Sequence, residues 1–463
     1  MSEATTIPRR ILRIGAETTM PVVGAHVLGS RAMRLWALVL GLCAMGCSDD
    51  LVKPDAPGQN DPAYQVDGVG RFYVVNTPAS TVDQIMTVFV TVPSGTDEIA
   101  GFIGDTGQRF SKQPNGQFAA QFDLTELPIG EHEIVLSANN SSTGFAALPF
   151  KRSAPYYVLV TTDWDFADAG QQALIYHDHL HTNHPGMRIT HFAAPYTFTD
   201  PSVTPARRAE IVTWFNKQKT EHQDEIGLHI HPYCHFVESA GVTCITDQST
   251  VYATDASGYT IKLAAYGRDD MATLLEHAKT LFEQNGLPTP KTFRAGGWTA
   301  SLDTVAALAS TGFTADTSAL NWPYIEAAWG DKELYRWNME NWAPINDTSQ
   351  PYYPSEDNVL ANDGGPGLGI LEVPDNGVMI DYTSVAQLNA IFDANWSGDQ
   401  ILESPKTLMM GFHPAPQFSE AEFIRVNDFL KHADMFLAKT HAGPVVYITL
   451  EDVVAAFPPP GGP

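Results

Sequence analysis

The chain of 463 residues carries 27 Lys and Arg against 53 Asp and Glu, a formal charge of −26. Single cores stop growing near about 250–300 residues, so two or three domains are expected. With 44% hydrophobic and 17% charged residues, nine Trp and 23 Phe, the chain is neither disordered nor collagenous, and it offers no electrostatic footprint for nucleic acid or an anionic lipid surface.

Residues 1–46 read as an export signal rather than as fold. Arg31 and Arg34 precede or flank the start of an apolar run from Leu35 to Met45 that ends in small residues before Cys47, the layout of a secretion signal. The run is too short to span a bilayer, which takes about 20 residues, and Met33 is the expected start of translation. Ala44-Met45-Gly46-Cys47 resembles the lipobox at which bacterial lipoproteins are cleaved and lipidated, with Ala44 where Leu is usual. That resemblance implies a lipidated Cys47 as the first mature residue, the alternative being plain secretion. Ser48 stands where Asp would retain a lipoprotein in the inner membrane, so the same resemblance implies the outer membrane of a Gram-negative bacterium, reached through the lipid anchor alone. Cys43 leaves with the signal. Cys234 and Cys244 then remain in an oxidising compartment, where they are expected to close a disulfide worth about 2–3 kcal/mol, the alternative being two free thiols.

Residues 47–66 are rich in Asp, Pro, Gly and Asn without hydrophobic period and read as a flexible tether. From 67 to 152 short β-rich runs at 72–75, 85–92, 99–103, 118–122, 133–137 and 145–150 are separated by Gly, Pro, Asn and Ser. This spacing predicts a small antiparallel sandwich of immunoglobulin-like type. No titratable residues group there, so a spacer is expected before a glycan-contacting module.

From 153 to 463 strand and helix patterns alternate. Strands are expected at 156–162, 187–194, 225–231, 292–295, 369–373, 407–413 and 445–450, with helices at 169–180, 203–223, 271–285 and 302–310. Repeated strand-helix units build a parallel sheet, and some 300 residues suffice to close an α/β barrel, whose chemistry sits where the strands end.

Four such ends carry polar clusters. The run 157–162 finishes in Asp163-Trp164-Asp165, with the two carboxylates expected on one side of the strand. The run from Glu225 finishes in His229-Ile230-His231-Pro232-Tyr233-Cys234-His235. His229 and His231 share a side, whereas His231 and His235 have the spacing of one helical turn; either pair suits a metal. The other ends are Phe293-Arg294-Ala295-Gly296-Gly297-Trp298 and Leu408-Met409-Met410-Gly411-Phe412-His413.

In this order the four segments resemble the NodB-type polysaccharide deacetylases of carbohydrate esterase family four, over about residues 155–457. The resemblance implies a distorted, seven-stranded (β/α) barrel and a metal-dependent hydrolase that removes N-acetyl groups from an amino-sugar glycan. It makes Asp163 the base and Asp165 a metal ligand, although one residue is inserted between the acids relative to the family's Thr-Phe-Asp-Asp. It draws further ligands from His229 and His231, with His235 as the alternative. Arg294 orients the base, Trp298 shapes the pocket, and His413 is the acid. Asp316 to Trp322 is a loose echo of the family's Asp and Trp segment, giving Trp322 a substrate contact. The cofactor implied is one divalent metal, zinc first, and the partner is an acetylated glycan. Rival readings are an O-acetyl esterase on the same site and a catalytically silent glycan-binding lipoprotein.

A second cluster, His177, His179, His181 and His184, follows a helix and precedes the 187–194 strand. That is the strand-entry end, so a solvated surface patch is expected. His191, inside that strand, either lines the pocket or packs in the core.

Overall fold

The computed structural model describes residues 51–360, 367–414 and 418–459. The signal, the Met33 start, Cys43 and Cys47 lie outside the described residues. Among the described residues no helix is long and apolar enough to cross a membrane.

Nine strands form the N-terminal sandwich: β1 (Gln65–Asp67), β2 (Phe72–Val74), β3 (Ile85–Thr91), β4 (Ile99–Ile103), β5 (Thr106–Arg109), β6 (Ser111–Lys112), β7 (Phe118–Asp123), β8 (Gly130–Ala138) and β9 (Ala146–Ser153). One sheet runs β1-β3-β7-β6 and the other β2-β9-β8-β4-β5. Alternation makes the core: Met86, Val88 and Val90 of β3 and Phe118, Ala120 and Phe122 of β7 are buried, while their neighbours on these two strands face solvent or lie half-buried, and Ile134, Leu136 and Phe150 join the same core. The sandwich is not wholly antiparallel, because β2 pairs parallel to β9; both run toward the barrel. Nor are residues 55–66 a free tether. Asp55 bridges to Thr143, the Asp61 amide donates to the Phe145 carbonyl at 2.8 Å, and Tyr64 stacks on Phe145 at 3.9 Å. An aromatic ring and available backbone partners outweigh a composition that favours disorder.

The second part is a curled parallel sheet. Its strands are β10 (Tyr156–Asp163), β11 (Ile189–Ala193), β12 (Glu225–Ile230), β13 (Thr292–Ala295), β14 (Ala315–Asp316), β15 (Leu371–Glu372), β16 (Lys406–Phe412) and β17 (Val445–Tyr447). Seven follow the order β15-β14-β13-β12-β11-β10-β16, all pairs parallel, and β17 joins β10. Beyond β15 the chain runs along β16, where Gly377 N donates to Met409 O and Ile380 N to Gly411 O, both at 2.8 Å. All eight residues of β10 are buried, as expected where both faces of a parallel sheet are covered. Tyr157 and Leu159 join Phe192, Leu371, Val373 and Met409 in an inner cluster. Tyr156, Val158 and Val160 face the helix layer.

That layer includes α1 (Gly170–Asn183), α2 (Pro205–His222), α3 (Cys234–Ser239), α4 (Arg268–Gln284) and α5 (Leu302–Ser310). After them come α6 (Glu326–Trp329), α7 (Glu333–Asn341), α8 (Val385–Asn395), α9 (Glu420–Asp434) and α10 (Leu450–Val453), none of them among the helices expected from the sequence. Cys234 and Cys244 form a disulfide that fastens the start of α3 to the loop beyond it.

The histidines of α1 are not a solvated patch. His177, His181 and His184 are buried and only His179 is exposed. Positions i, i+4 and i+7 share one helix face, and this face meets the sheet. His181 and His191 both reach Asp224 Oδ2, at 2.9 and 3.0 Å, and His184 reaches Asp434 at 2.7 Å. Burial, then His191, pushes the His177 pKa down to about 3, so this ring is neutral. His191 also meets Thr162 Oγ1 at 3.1 Å and belongs to the core.

Glu225, at the start of β12, is a buried acid with a consequence for stability. Its Oε2 accepts from Thr190 Oγ1 at 2.8 Å and from Glu451 N at 2.9 Å, and its Oε1 accepts from Thr292 Oγ1. Burial outweighs these donors and pushes its pKa from 4.5 up to about 7. Between those values the unfolded chain releases the proton first, so this group's cost appears as pH rises from 4.5 to 7 and is absent below that window. Glu225→Gln is expected to flatten that decline and to gain at most about 3 kcal/mol at pH 8. Urea unfolding of both proteins at pH 5 and pH 8 measures it, and parallel losses in the two would refute the assignment.

Candidate active site

The polar ends of β10, β12, β13 and β16 converge on one cleft of about 450 Å³. β10 ends at Asp163. The inserted Trp164 turns away, fully buried against Trp214 and Phe215 of α2, and its carbonyl accepts from the Tyr196 hydroxyl. Burying the indole there lets Asp165 return to the cleft, so both acids line it despite the extra residue.

Asp163 is held from below. Arg294, fully buried on β13, donates from Nη1 to Asp163 Oδ1 and to Thr161 Oγ1, each at 2.9 Å. Its Nη2 lies 3.6 Å from Asp375 Oδ2, which also accepts from Trp298 Nε1 at 2.9 Å. The guanidinium thus sits between two buried carboxylates. Burial raises the Asp375 pKa, with Arg294 opposing.

Asp165, His229 and His231 bring one donor atom each within 4.8 Å of the others. His229 Nδ1 donates to Arg294 O at 2.9 Å and His231 Nδ1 to Tyr259 O at 2.8 Å. A carbonyl only accepts, so each neutral ring carries its proton on Nδ1 and presents an Nε2 lone pair. Those lone pairs face Asp165 Oδ1 at 3.1 and 3.3 Å. Among the described residues His231 Nε2 is buried without a hydrogen-bond partner. Groups this close share either a proton or a cation, and one carboxylate with two imidazoles is a donor set that could hold a divalent metal. The residues fit such a metal.

Gly296 is required by this packing, because a Cβ there would lie 2.7 Å from His231 Nδ1 and from Ile230 O. Asp165 is itself held well below the usual carboxylate range: burial opposes ionisation, but His231 and His413, in their protonated forms, outweigh it.

His413 follows β16 directly. Its Nδ1 pairs with Asp381 Oδ2 at 2.8 Å and its Nε2 lies 3.7 Å from Asp165 Oδ1. Burial opposes its charge, yet Asp165 and Asp381 push its pKa up to about 10, so without a metal the ring is protonated at neutral pH.

Two expected contacts fall elsewhere. His235 does not join the donors: Pro232 follows the strand, α3 begins at Cys234, and the ring turns to Thr199 Oγ1 at 2.9 Å and stacks on Tyr233. Trp322 does not line the cleft; it packs edge-on against Tyr335. Trp329 of α6 lines the cleft instead, its Nε1 donating to the Tyr382 hydroxyl at 3.1 Å. Trp298 does line it, at a left-handed φ of 55° and with its carbonyl held by Trp342 Nε1 at 2.9 Å.

Tyr259, Asp375, Asp381, Trp329 and Tyr382 were not foreseen from the sequence. Tyr259 donates its phenol to Asp165 Oδ2 at 2.8 Å, and burial, then Asp165, raises its pKa far enough that the hydroxyl keeps its proton.

No protein-family model matches the sequence, and no curated protein matches it significantly. Solved structures do align. A provisionally assigned polysaccharide deacetylase from Mycobacterium smegmatis aligns at 13% identity over 65% of this chain and 89% of its own, with a TM-score of 0.38. A family 4 carbohydrate esterase from Streptomyces lividans, solved with acetate, aligns at 12% identity over 64% and 92%, with a TM-score of 0.31. The 4-alpha-glucanotransferase of Thermococcus litoralis aligns at 12% identity over 66% and 40%, with a TM-score of 0.36.

Proposed function

We propose that this chain is a metal-dependent hydrolase of the NodB type that removes N-acetyl groups from an amino-sugar glycan. The observation that carries the reading is the meeting of Asp165, His229 and His231, with lone pairs turned on one point, directly beside Asp163 and His413 in one cleft. Asp165, His229 and His231 would hold a divalent ion, which would supply a Lewis acid for an amide carbonyl and would lower the pKa of water toward about 7.

The chain's own groups do the rest. Asp163, with Oδ1 fixed by Arg294, takes a proton from the attacking water. His413, with Nδ1 fixed by Asp381, carries a proton on Nε2 and delivers it to the departing nitrogen, so that the amine leaves neutral and acetate remains. Phe166, Tyr259, Trp298, Trp329 and Tyr382 wall the cleft, giving flat apolar faces for a pyranose ring. Among the described residues no Lys or Arg lines it, which suits a neutral sugar.

Metal analysis followed by acetate release from a glycan panel tests this. Purified protein is expected to hold one divalent ion and to release acetate from an N-acetylated amino-sugar polymer, with both properties lost in Asp165→Ala. Acetate from O-acetylated xylan alone would turn the reading to an esterase. Metal uptake with no acetate from any member would leave a binding protein.

A further inference from the structure

Two of the three donors are held by one residue from outside the strands. The segment between α3 and α4, residues 240–267, is fastened by the Cys234–Cys244 disulfide and by Cys234 N donating to Ser257 O at 2.8 Å. Asp255 adds an internal brace, its oxygens accepting from Ser257 N, Ser257 Oγ, Thr260 N and Thr260 Oγ1 at 2.7–2.9 Å. Gly258 is the pivot. It sits at φ +83°, and a Cβ there would lie 2.2 Å from Pro232 O, so only glycine lets this strand of loop press against the end of β12. The next residue is Tyr259.

Tyr259 uses both its main chain and its side chain. Its carbonyl accepts from His231 Nδ1 at 2.8 Å, which directs the ring's Nε2 lone pair into the centre. Its phenol donates to Asp165 Oδ2 at 2.8 Å, the oxygen turned away from the imidazoles, so Asp165 offers Oδ1 alone. Its ring lies 4.5 Å from that of His231. A hydroxyl on a carboxylate oxygen is a charge-assisted bond, stronger and more directional than a neutral one.

We infer that Tyr259 is a positioning residue of the metal centre, fixing His231 through its carbonyl and a one-oxygen presentation of Asp165 through its phenol. The inference rests on the metal reading above. One-oxygen ligation keeps coordination positions open for water and substrate, and partners that orient ligands in this way are commonly worth about 10–100-fold in metal affinity.

Tyr259→Phe removes the phenol bond and keeps the carbonyl and the ring. Metal-free full-length wild type and variant are titrated with zinc against a chelator and, separately, with cobalt, whose visible spectrum reports ligand geometry. Zinc binding about 10–100-fold weaker in Tyr259→Phe, with an altered cobalt spectrum and unchanged thermal unfolding of the metal-free protein, is the expected result. Tyr252→Phe, an exposed tyrosine of the same segment, should match wild type. Wild-type zinc affinity and cobalt spectrum in Tyr259→Phe would overturn the inference while leaving the metal reading intact. So would weakened binding accompanied by an equal loss of metal-free stability, which marks a packing role. A wild type that binds no zinc removes the metal reading, and this inference with it.

Discussion

Asp163→Asn and His413→Ala are expected to bind metal as the wild type does and to turn over about 10²–10⁴-fold more slowly. Neither residue belongs to the donor set, and each holds one proton path. Asp163→Asn keeps the shape that Arg294 grips but takes up no proton. His413→Ala leaves the departing nitrogen without a donor and frees Asp381. The contrast is with Asp165→Ala, in which metal and activity fall together. Metal content measured beside kcat separates the groups, and loss of metal in Asp163→Asn would show that the two acids had been assigned the wrong way round. Their effects should not add, since acid and base serve one reaction.

Arg294→Met is expected to cost about 3–5 kcal/mol of stability, because it leaves a buried carboxylate without its counter-charge. Asp163 loses a partner at 2.9 Å and Asp375 one at 3.6 Å, and both acids are almost wholly buried. Denaturant unfolding gives the loss. The double variant Arg294→Met, Asp375→Asn should recover part of it by removing one stranded charge. Equal stability of Arg294→Met and wild type would mean that the guanidinium is not what balances these acids.

The strand ends were legible because parallel strands buried on both faces stand out as unbroken apolar runs, and polar residues closing such runs have few structural roles. Asp163, His229, Arg294 and His413 were found in that way. His235 misled because its one-turn spacing from His231 presumes a continuous helix, whereas Pro232 and the start of α3 rotate it toward Thr199. Asp375 and Asp381 follow a strand of only two residues, too short for any period, and Tyr259 sits in a loop placed by a disulfide and a glycine. Trp322 and Trp329 are alike in sequence, and only the packing of α6 against Tyr382 tells which faces the cleft. The α1 histidines carry the spacing of a helix's inward face, but their polarity suggests solvent; their partners are remote in sequence, Asp224 lying 43 positions from His181 and Asp434 250 from His184.

The join between sandwich and barrel has a mechanical meaning. Phe72 of β2 packs into the barrel's own core and meets Trp396 edge-on, and the Arg71 and Phe72 amides both donate to His441 O. Tyr157 of β10 meets Thr77 Oγ1 at 2.6 Å, and Leu402 N donates to Ser153 Oγ at 2.9 Å. Such a seam has no hinge. The sandwich shares packing and hydrogen bonds with the barrel here, so it is expected to move with the barrel rather than as an independent arm. Dissecting the chain between Ser153 and Tyr156 would strip aromatic surface from both halves, and the catalytic half should be produced with the sandwich attached.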